Sequence, residues 1–307
     1  MFIVMYLFMN KIIECVPNFS EGRDIEKIEI IADSFRSKPG VKLLDYGGDV
    51  DHNRSVFTVV GEPQAVKNAV VDAIGKAINI IDLTKHIGEH PRMGAIDVVP
   101  FIPIKNISMD EAVVISKEVG QEVGSRFNLP VFLYEESAMA PHRANLADVR
   151  RGEFEGLDMK MKLAVWKPDY GPDYPHPTAG AIAISARKPL IAYNINLSTP
   201  DIEIANAIAK KVRYSGGGLH FCKAIGVELK NRGIAQVSMN LTDFTKTSIY
   251  QVHEMVRMEA KRYGVNIIGS EVIGLVPMAA LAESAAYYLG IEHFSIDQIL
   301  EARILEN

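Results

Sequence analysis

Between His86 and Arg92 the chain reads HIGEHPR, which places two imidazoles, a carboxylate and a guanidinium within one short segment. Two chemistries suit such a group. His86, Glu89 and His90 match the H-x-x-E-H spelling of an inverted zinc-peptidase motif. That chemistry requires a helix presenting both histidines on one face, with the carboxylate beside the metal-bound water. Gly88 and Pro91 interrupt the segment and oppose a continuous helix. The alternative is general acid–base catalysis by one imidazole, whose ordinary pKa of about 6.5 suits proton transfer at neutral pH. A third possibility is a pair of solvated loop histidines. We read His86–Gly94 as an ordered loop at the start of an apolar strand, Ala95–Ile104, the kind of place where functional side chains collect.

The flanking sequence supplies elements to hold that loop. Ile12–Phe19 reads as a strand, and Asp24 caps a helix to Arg36 with apolar residues at helical spacing. Strands follow at Val41–Tyr46 and Ser55–Gly61, then a periodic helix over Gln64–Ile81 and the strand after the histidine loop. This β-α-β-β-α-β order is that of a ferredoxin-like unit. Ser108–Phe127 adds a helix opened by the capping box SMDE, and Val131–Tyr134 adds a strand. Periodicity weakens over 135–177. A second cycle begins at Leu190–Leu197: a helix (Pro200–Tyr214), a hairpin (Cys222–Leu229, Ala235–Phe244), a helix (Ile249–Tyr263) and a strand (Val265–Val276), before closing helices at Pro277–Leu289 and Ile296–Leu305. The expected fold is α+β, with two ferredoxin-like (βαββαβ) subdomains and additional helices. The expected division is an apolar N-terminal extension (1–11), an N-terminal subdomain (12–180) and a C-terminal subdomain (181–307).

Composition narrows the function. A net charge of −5 over 307 residues argues against a general nucleic-acid or membrane-surface role. Cys15 and Cys222 are the only cysteines, so there is no disulfide framework, and a reducing cytoplasm fits. Met1–Met9 is too short to span a bilayer and lacks the features of a signal peptide. It reads as a start-site extension or a short apolar arm, with Met5 and Met9 as alternative starts.

Four stretches carry a resemblance: CVPNFSEGRD near the start, DHNRSVFTVVGEP at 51–63, EHPRMGAIDVVPFIP, and ARKPLIAYNINL at 186–197. Together, and in this order, they resemble the formiminotransferase (formimidoyltransferase) family, folate enzymes of histidine breakdown. The resemblance runs from about Ile12 onward. It implies transfer of a formimino group from N-formimino-L-glutamate to N5 of tetrahydrofolate, with tetrahydrofolate as co-substrate and no metal. His90 is then the proton-transferring residue. The segment Gly171, Pro172, Asp173, Tyr174, Pro175, His176, Pro177, Thr178, Ala179 and Gly180 is implied to contact folate, although by composition it also reads as a linker. Its leading Gly-Pro, a central proline and the closing glycine match the family. The folate is expected in a groove between the subdomains.

Both substrates carry carboxylates, so cationic side chains must be gathered locally. Arg54, Arg92, Arg143, Arg150, Arg151, Arg187 and Lys188 are available, and an arginine fork suits bidentate carboxylate binding. Arg54, Arg92, Glu89, Asn194 and Asn196 are the candidate substrate contacts. Glu89, Asp97, Asp49 or Asp51 can hold the amidine cation or orient the imidazole. One histidine suffices to take the N5 proton and return it to the departing amine. The expected partners are the two small molecules, a second copy in a homodimer, and a separate cyclodeaminase downstream; neither nucleic acid nor membrane is expected. Since the sequence closes on its last helix, 5-formiminotetrahydrofolate should accumulate without enzymatic ammonia release. The alternatives are a related folate transferase using formylglutamate or formiminoglycine, and a catalytically silent folate-binding paralogue.

His90 is flanked by Pro91, which restricts its backbone to extended conformations, whereas His86 has no such restraint. His90→Ala should therefore lower kcat by about 10²–10⁴-fold with tetrahydrofolate binding little changed. His86→Ala should leave kcat within roughly tenfold, about 1.4 kcal/mol of barrier. Equal damage from both, together with stoichiometric zinc in the purified protein, would establish the metal site instead.

Overall fold

The computed structural model describes residues 11–88 and 90–305. The expected extension therefore falls outside the described residues except for Lys11, and the candidate contact Glu89 falls outside them too. The chain divides into two compact units, 1–187 and 188–307, and the architecture is α+β.

In the first unit the opening strand is broken by Pro17, which has no N–H to give to a ladder, into β1 (Ile12–Cys15) and β2 (Asn18–Phe19). Both lie antiparallel between β4 (Arg54–Gly61) and β5 (Ile96–Lys105), and β3 (Val41–Asp49) pairs along the outer side of β4. On its other side β5 runs parallel to β7 (Ile182–Ala186), which runs parallel to β6 (Val131–Glu135). Helices α1 (Ile25–Ala32), α2 (Pro63–Ile80) and α3 (Met109–Phe127) bury Ile31, Val70, Ile74 and Val119 in one core with β-strand residues such as Ile13, Phe57 and Phe101. Two of these helices begin where the sequence expected. Asp24 accepts hydrogen bonds from the Glu26 and Lys27 N–H groups, and Ser108 forms a reciprocal capping box with Glu111.

A second, smaller core covers the opposite face. There α4 (Leu146–Arg150) and α5 (Glu153–Met161) bury Val149, Leu157 and Met161 against Met93, Val98, Phe132 and Ala183. Strands covered on both faces lose polar alternation, which accounts for the buried run of β5 from Ile96 to Ile102 and for the fully buried β7. This also corrects the expected division. A cut at 180/181 would sever β7 from the sheet that it completes, so the boundary lies at Arg187/Lys188. The 171–180 segment, which by composition also reads as a linker, lies inside the first unit, as do α4 and α5.

The second unit repeats the element order: β8 (Ile191–Leu197), α6 (Ile202–Val212), β9 (Cys222–Leu229), β10 (Ile234–Leu241), α7 (Ile249–Arg262) and β11 (Ile267–Ile273). Its strands are ordered β11-β8-β10-β9, each neighbouring pair antiparallel. Ile191, Tyr193, Ile195 and Leu197 pack with Ile208, Val212, Val252 and Val256 in a core of its own.

Phe57 is an organising side chain of the first core, with ring centroids 5.2 Å from Phe19, 5.5 Å from Tyr46 and 5.9 Å from Phe35. Phe57→Ala should cost about 3–5 kcal/mol, read as a lower denaturation midpoint at unchanged slope. A loss below about 1 kcal/mol would show that the ring cluster is not a centre of packing.

Candidate active site

Three sequence stretches meet at one buried side chain, Asn53. Its backbone is left-handed, with φ of 49°, a conformation that asparagine tolerates better than most residues. Its Oδ1 accepts from the Gly22 N–H at 2.9 Å, its Nδ2 donates to the Ile87 carbonyl at 3.0 Å, and its own carbonyl accepts from His86 Nε2 at 2.8 Å. The NFSEG turn, the loop between β3 and β4, and the histidine loop are thereby tied together. His86 is occupied in this work, because its Nδ1 also accepts from Arg92 Nε at 3.2 Å. The loop is not helical on either side of Glu89, so the geometry that zinc-peptidase chemistry requires is missing. Among the described residues, no group of three or more His, Cys, Asp or Glu is placed to hold a metal.

The far end of the loop is pinned by backbone pairing to the 171–180 segment. Leu83 N–H donates to the Thr178 carbonyl at 2.8 Å, Ala95 N–H to the Ala179 carbonyl at 3.0 Å, and Ala181 N–H to the Met93 carbonyl at 3.1 Å. Gly94 and Gly180 sit where these strands touch. A Cβ on Gly94 would lie 2.0 Å from the Ala181 carbonyl oxygen, and one on Gly180 would lie 2.2 Å from that of Met93. Only glycine permits that approach. Within the segment, His176 and Gly180 exchange two backbone hydrogen bonds of 2.9 Å, and His176 Nδ1 accepts from the Ala179 N–H at 3.0 Å. Burial lowers the His176 pKa. Tyr174 is exposed, and Asp173 pairs with Lys167 at 2.7 Å.

His90 lies between these anchors. Its side chain is 11% exposed, with Nε2 3.5 Å from Asp97 Oδ2, an ion-pair distance at which no hydrogen bond closes. Asp97 is fully buried on β5. Its Oδ1 accepts from the Met93 N–H at 3.0 Å, and its Oδ2 accepts from Arg150 Nη2 at 2.5 Å. Burial alone would raise the Asp97 pKa; Arg150, His90 and the Met93 N–H outweigh it and hold the carboxyl below its ordinary value. The His90 pKa is lowered first by burial and then by the Arg54 and Arg150 guanidiniums, against the opposing pull of Asp97. The result favours a neutral imidazole, the form able to accept a proton. Arg54 Nε, Arg150 Nε and His90 Nε2 are each buried without a hydrogen-bond partner.

Comparison with known proteins fixes the family. Residues 12–187 match the description "Formiminotransferase domain, N-terminal subdomain", and residues 192–305 match "Formiminotransferase domain". The chain belongs to the formiminotransferase family. It is 53% identical to a glutamate formimidoyltransferase of Streptococcus pyogenes serotype M1, over 97% of this chain and 100% of that protein. A glutamate formimidoyltransferase of Thermoplasma acidophilum is 44% identical, over 95% and 97% of the two chains. A formimidoyltransferase-cyclodeaminase of Rattus norvegicus is 42% identical over 97% of this chain, which spans 56% of that protein.

Within this formiminotransferase fold, the candidate cations divide sharply. Arg92 forms a bidentate pair with Glu155 at 2.7 and 2.9 Å and reaches Glu153 at 3.1 Å, so its fork is filled by protein carboxylates. It also lines an open depression of about 470 Å³ with His86, Ile87, Gly88, Gly152, Glu153 and Glu155, which does not include His90. Arg143 pairs with Asp169 at 2.6 Å, Arg151 with Asp148, and Lys188 with Asp243 at 2.5 Å. Arg54, by contrast, is directed into the electrostatic neighbourhood of Asp97, Arg150 and Asp49. In the second unit, the Asn196 amide is committed at both ends, to Glu271 at 2.9 Å and Gln236 at 2.8 Å, while Asn194 is half-buried on the same strand. Sequence reasoning missed Asn53 and His52. Both lie inside the quoted DHNR stretch, but nothing in their spacing points at His90.

The charges facing His90 set a pH test. They are Asp97 on β5, Arg54 on β4, Arg150 on α4, and the His52–Asp49 pair before β4. The acid limb of kcat/KM, which reports the free enzyme, should lie below the ordinary histidine value of about 6.5. Arg54→Met removes a positive charge that disfavours imidazolium, so the limb should move to higher pH. Asp97→Asn removes the charge that favours imidazolium, so the limb should move lower. A pH–rate profile showing the same limb in all three proteins would remove His90 as the titrating group.

Proposed function

We propose that this site carries out formimino transfer from N-formimino-L-glutamate to N5 of tetrahydrofolate, releasing L-glutamate. The observation that carries this is the 53% identity to a glutamate formimidoyltransferase over that protein's whole length. The site chemistry agrees with it. Nucleophilic N5 attacks the amidine carbon, the tetrahedral adduct expels the glutamate nitrogen, and the reaction needs a base for one proton and an acid for another. His90, buried and biased toward the neutral form, is the base that takes the N5 proton. Asp97, 3.5 Å from the imidazole, offsets the charge that the ring gains with the proton, and Arg150, His90 and the Met93 N–H favour the ionised carboxylate. The unpaired buried Nε of Arg54 offers a donor to a substrate oxygen.

The 171–180 segment is the proposed folate wall. Its backbone hydrogen bonds to Leu83 and Ala95 and the Met93–Ala181 bond would hold a pterin at a fixed distance from His90. The strand orders β3-β4-β1-β5 and β11-β8-β10-β9 favour ferredoxin-like units for both halves. A role in histidine breakdown, a homodimeric state, a cytoplasmic setting and a separate cyclodeaminase complete the reading. Among the described residues, no helix is long and apolar enough to cross a membrane. The fused relatives, such as that of Rattus norvegicus, are named for both activities.

A donor panel tests this. Purified protein should transfer from N-formimino-L-glutamate to tetrahydrofolate with a kcat/KM at least about tenfold above those for N-formyl-L-glutamate and formiminoglycine. A reversed preference would change the donor, and no transfer with any donor would refute the reading.

A further inference from the structure

We propose that His52, positioned by Asp49, is a second proton-transfer residue, so that the two proton movements of the reaction are divided between two imidazoles; this rests on the transferase reading above. The His52 ring stands edge-on to that of His90, with centroids 6.5 Å apart and planes inclined at 65°. Asp49 grips it twice: Oδ2 accepts from His52 Nδ1 at 2.9 Å, and Oδ1 accepts from the His52 backbone N–H, also at 2.9 Å. That grip keeps a hydrogen on Nδ1 and aims Nε2 away from the carboxylate, so that in the imidazolium the Nε2–H is the proton free to transfer. His52 remains 47% exposed, unlike His90. The two loops touch at Gly88, where a Cβ would lie 2.4 Å from the His52 carbonyl oxygen, so the ring pair is held by packed backbone.

The spacing suits the chemistry. Each proton-transfer hydrogen bond spans about 2.6–3.2 Å, so rings 6.5 Å apart can each reach a different nitrogen on one tetrahedral carbon lying across the pair, outside the gap between their edges. In the forward direction, N5 bonds to the amidine carbon and its proton passes to His90. The bond from that carbon to the glutamate nitrogen then breaks, with its electron pair going to nitrogen and a proton arriving from His52 Nε2. One C–N bond forms, one breaks, and nothing is oxidised or reduced. The half-exposed His52 is reprotonated from solvent, while His90 returns its proton once product leaves. Asp49 acts through His52 as a positioning residue. Its carboxyl lies below its ordinary pKa, since the His52 N–H groups outweigh the effect of burial, and it therefore stays an acceptor.

The bland alternative is that Asp49 and His52 only brace the turn between β3 and β4. Chemical rescue separates the two. His52→Ala should lower kcat about 10²-fold, with KM for both substrates within about twofold. Because His52, unlike His90, is open to solvent, added imidazole should restore at least about tenfold of the loss. Asp49→Asn should lose less, and should add nothing when combined with His52→Ala, as expected for residues acting as one unit. A His52→Ala enzyme with near-normal kcat, a loss that imidazole does not touch in a variant of unchanged melting temperature, or additive losses in the double variant would overturn the proposal. A wild-type protein that releases no glutamate would instead refute the transferase reading itself, and this proposal with it.

Discussion

A carboxylate with no access to solvent, Asp97, sets the terms for the rest of the first unit. An unpaired charge at such depth costs several kcal/mol, so the surrounding structure must compensate it from several directions. The Met93 N–H comes from the end of the histidine loop, Arg150 from α4, and His90 from the loop itself. This explains why α4 and α5 are laid over the β5–β7–β6 face. They bury Val149, Leu157 and Met161, and α4 also delivers the guanidinium that, with His90 and the Met93 N–H, holds the Asp97 carboxyl below its ordinary pKa.

The same arrangement tunes the imidazole. Asp97 draws His90 toward its charged form, while Arg54, Arg150 and burial push it the other way, and the push wins. An imidazole biased toward its neutral form, beside a buried carboxylate and screened from solvent, is suited to accept a proton. Arg92 has a different task. Its bidentate pair with Glu155 and its contacts to His86 brace the loop against the start of α5, which makes it part of the scaffold that keeps His90 in place.

Hydrogen bonds flank the histidine loop. Residues 93–95 pair with 179–181, and Asn53 ties residues 86 and 87 to the turn at Gly22. Side chains on loops ordinarily rearrange easily; here the polypeptide on both sides of His90 is bonded to neighbouring segments. Positioning of that kind lowers a barrier by removing orientational entropy before the reaction begins.

The order of elements, the helix starts at Asp24 and Ser108, and the non-helical nature of the histidine loop could all be read from the sequence, because each is local. Hydrophobic period, capping side chains, and the Gly88 and Pro91 interruptions act within a few residues. His90 was singled out by resemblance to a family and by the restraint that Pro91 places on its backbone, neither of which shows what its ring faces. What only the tertiary structure decided is long-range: β7 completing the first sheet, Arg150 reaching Asp97 across 53 positions, Arg92 turned to Glu155, and His52 facing His90. No local pattern announces such contacts. They arise when a buried charge must find its counter-charge and when glycines let two backbones meet, and both conditions exist only once the chain has packed.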